Sequence, residues 1–250
     1  MSRYRVLVVR SGAITSAFPR PRDASQFELV ETTSHSVQSL APDLDVLQEP
    51  ADYAVFTSQI SAGMLFDNAD LAAQFRRAIG SGKIAAIGEA TAATLRERGI
   101  SPDIVAAGSG ESMLDRLPAR LDGLRILLPR GEDATEDLPE GLAHRGARLA
   151  PLVLYRKIPV PRPNGFDRGI VERPYAAFAT TSPSAAVWLF SGASAGALAK
   201  LRETPAVVLG RFTGRYLESH GVARVEIARE PSFSSVLERL EELAAAAQPA

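Results

Sequence analysis

The chain has 250 residues, 46% of them hydrophobic, and a formal net charge of −1, enough apolar surface for one large core or two small ones. Both signs of charge are scattered, so there is no basic stripe to neutralise a nucleic-acid backbone, and the absence of cysteine excludes disulfide frameworks, thiolate nucleophiles and cysteine-based metal sites. The first apolar run, residues 6–9, is too short for the core of a signal peptide, and no run approaches the roughly 20 apolar residues that span a bilayer. A soluble, unexported protein in a reducing cytoplasm is therefore expected.

In chain order, short apolar runs at 5–9, 53–56, 84–87, 103–106, 125–129, 147–155, 175–179, 206–209 and 224–228 predict strands. Most are separated by helical patterns. "ATAATLRERG" predicts a helix stopping at Gly99, and "SMLDRL" and "SVLERLEELAAAA" predict helices capped by Ser112 and Ser235, each with an acidic residue three positions on. Such alternation means a parallel sheet covered on both faces. "ETTSHS" (31–36) and the proline-punctuated "RKIPVPRPNG" (156–165) read as linkers, and the tail "AAAAQPA" as a frayed end.

The chain also nearly repeats itself. Gly88, Thr91, Gly99 and Ser112 match Gly210, Thr213, Gly221 and Ser234, each pair 122 positions apart. "VFTSQISAGMLF" answers "AFATTSPSAAVWLF", setting Ser58 against Ser182, and "VLVVRSG" answers "ILLPRGE", setting Arg10 against Arg130. Two copies of one α/β module are expected.

Several motifs fail on context. "GASAG" (192–196) has the spacing of an esterase nucleophile elbow, but the repeat predicts helix over 185–190 where an elbow needs a strand. "GSGK" (80–83) lacks the first glycine and the final hydroxyl residue of a phosphate loop. His35, His144 and His220 lie far apart without metal-ligand spacing, and Trp188 sits at helical spacing as a core residue. What remains is a set of small polar residues after the strands: Thr57 and Ser58, Gly88 to Thr91, Arg130 and Gly131, Thr181 and Ser182, Gly210 to Thr213. Each hydroxyl can serve merely as a helix cap. Together, matching sets at the carboxyl ends of parallel strands suit two lobes gripping one anionic ligand.

These strings, in this order and spacing, resemble the uroporphyrinogen-III synthase family over nearly the whole chain; "GARLAPLVLYRKIPV" adds to the match. The resemblance implies an α/β fold of two flavodoxin-like lobes with parallel sheets, derived from an internal duplication and joined by a two-stranded linker. It implies a discontinuous lobe, 1–34 plus 157–250, and a second lobe, 35–156, with residues 27–31 as a further strand. It also implies a monomeric cytoplasmic lyase of heme and porphyrin biosynthesis that uses no metal or organic cofactor. Its substrate would be hydroxymethylbilane, a linear tetrapyrrole with eight carboxylates, closed through a spirocyclic intermediate with inversion of the terminal ring to give uroporphyrinogen III and water.

Carried onto this sequence, the resemblance implies Tyr155 as the acid that assists the departing hydroxyl, and Ser58, Thr91, Ser182 and Thr213 as substrate hydrogen-bonders. Arg10 and Arg130, each at the end of an equivalent strand, would contact carboxylates. The chain departs from the family pattern after Arg10, where "SGAITSAFPRP" lacks the usual proline placement, and at Arg211 and Phe212, where small residues are commoner. Neither nucleic acid nor membrane is an expected partner, whereas transient contact with hydroxymethylbilane synthase is. The competing reading is a two-lobed module that binds an anionic tetrapyrrole without converting it.

Overall fold

The strands form where side chains are apolar on both faces, because a parallel sheet covered on each side leaves no room for polar alternation. The computed structural model describes residues 3–12, 18–230 and 232–246. In chain order the elements are β1 (Tyr4–Ser11), β2 (Phe27–Ser39), a 3₁₀ turn (Leu44–Leu47), β3 (Tyr53–Phe56), α1 (Gln59–Phe66), α2 (Ala69–Ile79) and β4 (Lys83–Ile87). Next come α3 (Glu89–Arg96), β5 (Ile104–Ala106), α4 (Gly110–Arg116), β6 (Arg125–Gly131), α5 (Asp137–His144) and β7 (Arg148–Pro159). The remainder is α6 (Phe166–Glu172), β8 (Ala177–Thr180), α7 (Pro183–Ser191), α8 (Ala195–Glu203), β9 (Ala206–Val208), α9 (Arg211–Ser219), β10 (Val225–Ile227) and α10 (Phe233–Ala246).

The chain divides into two units, residues 1–36 with 158–250, and residues 37–157. The first orders its strands β10-β9-β8-β1-β2, and the second β7-β6-β3-β4-β5, with the pairing within each unit parallel. Mixed α/β architecture with mostly parallel pairing is thus observed. Each sheet has two apolar faces. Along β1, Leu7 and Val9 enter one core with Phe178 and Leu189, while Val6 and Val8 enter another with Val236 and Leu240. In the second unit Ala54 and Phe56 pack with Phe75 and Leu95, while Tyr53 and Val55 pack with Met113 and Leu142. Burying one such valine, leucine or phenylalanine contributes about 1.5–3 kcal/mol, so a charge at Val8 or Val55 would disrupt its sheet.

Helix starts differ from expectation in one repeated way. Ser109, not Ser112, caps α4, and Ser112 completes a reciprocal capping box with it. At α10, Ser232 Oγ accepts from the Ser235 amide, while Ser235 Oγ turns back to accept from the Glu230 amide. Both helices begin earlier than expected, α4 at Gly110 and α10 at Phe233. The segment 31–36, expected as linker, is strand within β2, and 156–159 continues β7. Helix α6 has no counterpart among the expectations. Gly99 follows α3 with φ +74°, as its predicted role requires. Ser194 caps α8 after α7 and a short turn, so "GASAG" is a helix–helix connection and not an elbow. Residues 247–250 of the expected frayed tail lie outside the described residues, as do 13–17 of the atypical segment after Arg10.

Candidate active site at the strand tips

Parallel strands deliver all their carboxyl ends to one edge, and helix N-termini with unpaired N–H groups start there. In the second unit, β3 leads through Thr57 to Ser58, the N-cap of α1. Ser58 Oγ accepts from the Ser61 amide at 3.2 Å and lies 3.1 Å from Ser61 Oγ, which donates to the Ser58 carbonyl at 2.9 Å. The same Ser58 Oγ lies 3.2 Å from the Tyr155 hydroxyl. Three hydroxyls therefore form one chain.

Tyr155 reaches Ser58 because of a specific gap. The β6–β7 register shifts at Arg130/Gly131, setting Gly131 opposite Tyr155. A Cβ at Gly131 would lie 2.8 Å from a Tyr155 ring carbon, closer than packed atoms approach, so only glycine lets the ring lie across this strand end. The ring is 4% exposed. Burial pushes its phenol above the ordinary 10.0; the Ser58 hydrogen bond opposes this, the Asp133 carboxylate adds to it, and the Arg130 guanidinium opposes it again. The phenol is protonated at neutral pH and can donate.

Arg130 is itself engaged. Nη2 donates to the Ala134 carbonyl and to Glu136 Oε1, both at 2.5 Å, and to the Thr135 carbonyl at 3.3 Å. It pins the loop leading to α5 and sets a positive charge near Tyr155. Arg10, its counterpart on β1, pairs with Glu31 at 3.3 Å and stands 5.2 Å from the Phe233 ring centroid. Both arginines are thus mostly covered by their own units.

The first unit handles its hydroxyls differently. Ser182 caps α7, accepting from the Ala185 amide at 3.2 Å, with Ser184 Oγ 3.1 Å away. Beside it Thr180 Oγ1, Thr181 Oγ1 and, at the end of β1, Ser11 Oγ are buried without a hydrogen-bond partner among the described residues. Val9 pairs with Thr180, which places all three at neighbouring strand tips. An orphaned buried hydroxyl costs about 1–3 kcal/mol. Sequence reading reached Thr181 by its position after a strand; Thr180 and Ser11 it missed, since their lack of partners appears only after folding.

Thr91 and Thr213 occupy the third position of α3 and α9, each behind a glycine cap, and both are buried. The two caps are not alike. Gly88 has φ +81°, a conformation that favours glycine, whereas Gly210 has φ −154° and ψ 159°, an extended backbone open to any residue. Of the histidines, His144 and His220 bond to carbonyls one helical turn earlier, at 2.7 Å each, as helix-end residues do.

Fold and site together define an α/β protein whose parallel strand tips carry hydroxyls, uncovered helix amides and one protonated phenol. Residues 23–238 match the family model described as "Uroporphyrinogen-III synthase HemD". A putative uroporphyrinogen-III synthase of Methanothermobacter thermautotrophicus is 29% identical over 222 residues, 85% of each chain. Among solved structures, a mutant uroporphyrinogen III synthase of Thermus thermophilus aligns with a TM-score of 0.71 at 21% identity, covering 96% of this chain and 99% of that one. The uroporphyrinogen-III synthetase of Helicobacter pylori 26695 aligns with a TM-score of 0.60 at 18% identity, covering 97% and 100%. The chain belongs to the uroporphyrinogen-III synthase family.

Proposed function

We propose that Tyr155 is the acid that starts ring closure of hydroxymethylbilane in this protein, and that polar tips in both units hold the substrate's carboxylates. The activity is that of the family: a lyase of tetrapyrrole biosynthesis that releases water and gives uroporphyrinogen III with the terminal ring inverted. The observation that carries the assignment is the placement of the phenol, a buried proton donor bonded to Ser58 near the end of β7.

In the proposed reaction Tyr155 exchanges Ser58 for the substrate and passes its proton to the departing hydroxyl. The C–O bond breaks, water leaves, and the electron pair of the pyrrole nitrogen moves into the bond to the exposed methylene carbon. The substituted carbon of the terminal ring attacks that methylene to give the spirocycle; its older bond, to the methylene of the neighbouring ring, then breaks with the electron pair of that ring's nitrogen, and the freed methylene is attacked by the terminal ring's unsubstituted carbon. The ring then loses its surplus proton, and tyrosinate, a stronger base for being buried, takes one back. Because free substrate closes unaided to the other isomer, the protein's main contribution is to hold one conformer. Ser182, Thr91 and Thr213 are proposed to bind carboxylates with the amides of their helix first turns. For Arg10 and Arg130 the proposed contact requires release from Glu31 and Glu136.

The proposed architecture is two lobes, 1–34 with 157–250 and 35–156, descended from one duplicated module and joined by a two-stranded linker. The matching roles of Ser58 and Ser182, and of Thr91 and Thr213, within their own units support it. No helix among the described residues is long and apolar enough to cross a membrane. A cytoplasmic monomer that takes its substrate from hydroxymethylbilane synthase by transient contact completes the proposal, and the scheme calls for no metal or organic cofactor. The test is to supply freshly generated hydroxymethylbilane, oxidise the products and separate the isomers. Type III in excess is expected. Type I alone, at the rate of a protein-free control, overturns the proposal.

A further inference from the structure

Helix α9 opens in a way that its own unit does not reward. Arg211 is its first residue and Arg215 its fifth, both exposed, one turn apart, and its first turn holds no acidic side chain. Neither arginine has an ion-pair partner among the described residues. Like charges at this spacing repel, and a cation at a helix N-terminus opposes the dipole. Between them in sequence Phe212 is 62% exposed, more than any other large exposed hydrophobic residue described. A single exposed phenylalanine is ordinary, but flanked by two exposed cations at a helix N-terminus it forms one mixed apolar and cationic patch.

The contrast with α3 sharpens the point. There the first turn carries Glu89, which favours the dipole and pairs with Arg96 on the same helix. At α9, Gly210 has φ −154° and ψ 159°, close to the serine caps Ser58 (−151°, 150°) and Ser182 (−160°, 161°). A Cβ at Gly210 would meet nothing within 4 Å. The backbone accepts a serine cap here, yet no N-cap side chain bonds to the first amides of α9.

We propose that Arg211, Phe212 and Arg215 form a recognition patch for one pyrrole ring of the substrate and the carboxylates it carries. Phe212 lies against the ring face, and the guanidiniums, whose Cβ atoms stand about 5–6 Å apart on one helix face, take its carboxylates. The patch rests on the family activity proposed above and assigns to this chain a specificity element of its own.

The experiment measures KM and kcat for type III formation from hydroxymethylbilane at low and high salt, with thermal unfolding of each full-length variant. Arg211→Asp is expected to raise KM about tenfold with kcat within about twofold, to flatten the rise of KM with salt, and to raise the unfolding temperature by favouring the dipole. Phe212→Ala is expected to raise KM severalfold, with Phe212→Leu between. Gly210→Ser is expected to stabilise α9 slightly while weakening binding, because the new hydroxyl covers the amides. Binding and stability moving in opposite directions is a pattern that a merely structural role does not give. A KM within twofold of wild type in both Arg211→Asp and Phe212→Ala overturns the patch while leaving the family activity intact. A wild-type protein that yields only type I overturns that activity, and the patch with it.

Discussion

The two units meet the same local problem, polar side chains at the tips of parallel strands, with opposite solutions. In residues 37–157, Ser58, Ser61 and Tyr155 satisfy one another, and Gly131 clears the space that lets them. In the other unit the hydroxyls of Ser11, Thr180 and Thr181 are buried without hydrogen-bond partners among the described residues. In the proposed function the first arrangement would hold the acid in place before substrate arrives; the second leaves three buried hydroxyls unsatisfied among the described residues. A group that donates a proton benefits from fixed geometry, whereas buried hydroxyls without partners cost stability.

The largest expected break in this contrast is Tyr155→Phe. Loss of a positioned acid should lower kcat roughly 10²-fold or more, with thermal unfolding changed little, since only the hydroxyl and its bond to Ser58 are lost. Unchanged turnover would reduce Tyr155 to a packing residue. Gly131→Ala comes next. The added methyl must displace the Tyr155 ring, so kcat should fall about tenfold with a stability loss of about 1–3 kcal/mol by denaturant titration. Activity and stability both at wild-type level would mean that the ring is not held by this gap.

Thr180→Val and Ser58→Ala test the contrast directly through stability. Replacing an unpartnered buried hydroxyl by a methyl of the same shape should stabilise by about 1 kcal/mol, while removing a helix cap bonded to Tyr155 should destabilise by about 1 kcal/mol. The same sign for both would erase the distinction between the units. The smallest effect is on pH dependence. Burial raises the phenol of Tyr155 above 10.0 in the folded state, so the native state holds its proton longer than the unfolded chain. The corresponding stability is fully present below pH 10.0, the unfolded value, and is lost as pH rises through the folded one. Tyr155→Phe should flatten that alkaline decline, although Tyr175 and Tyr216, raised by burial too, retain part of it.

Much of the fold was legible because both-face burial writes continuous apolar runs, and nine runs became strands. The strand through 31–36 was hidden by Thr32, Thr33, Ser34 and His35, whose polarity imitates a linker, although Ser34 is wholly buried and its hydroxyl bonds to the Arg10 carbonyl. The caps of α4 and α10 were misplaced because each helix has two serines near its start, and sequence does not say that the earlier one, Ser109 or Ser232, accepts the first-turn amide. At the candidate site, individual tip residues could be found from their place after a strand. That Ser58 meets Tyr155 across 97 positions could not be read, nor could the need for glycine at 131, since each depends on a register shift set by the whole sheet.

A last consequence concerns how the gene could be cut. Within residues 37–157 the Leu40 amide bonds to the Leu154 carbonyl at 2.9 Å, and in the other unit the Val160 amide bonds to the Ser34 carbonyl at 2.9 Å. Both loose ends of each piece are therefore already neighbours, so a brief turn suffices to splice Ser36 to Ile158, at little entropic cost. The inner piece is therefore expected to be excisable, which a chain with Ser36 joined to Ile158 checks by whether it still unfolds cooperatively.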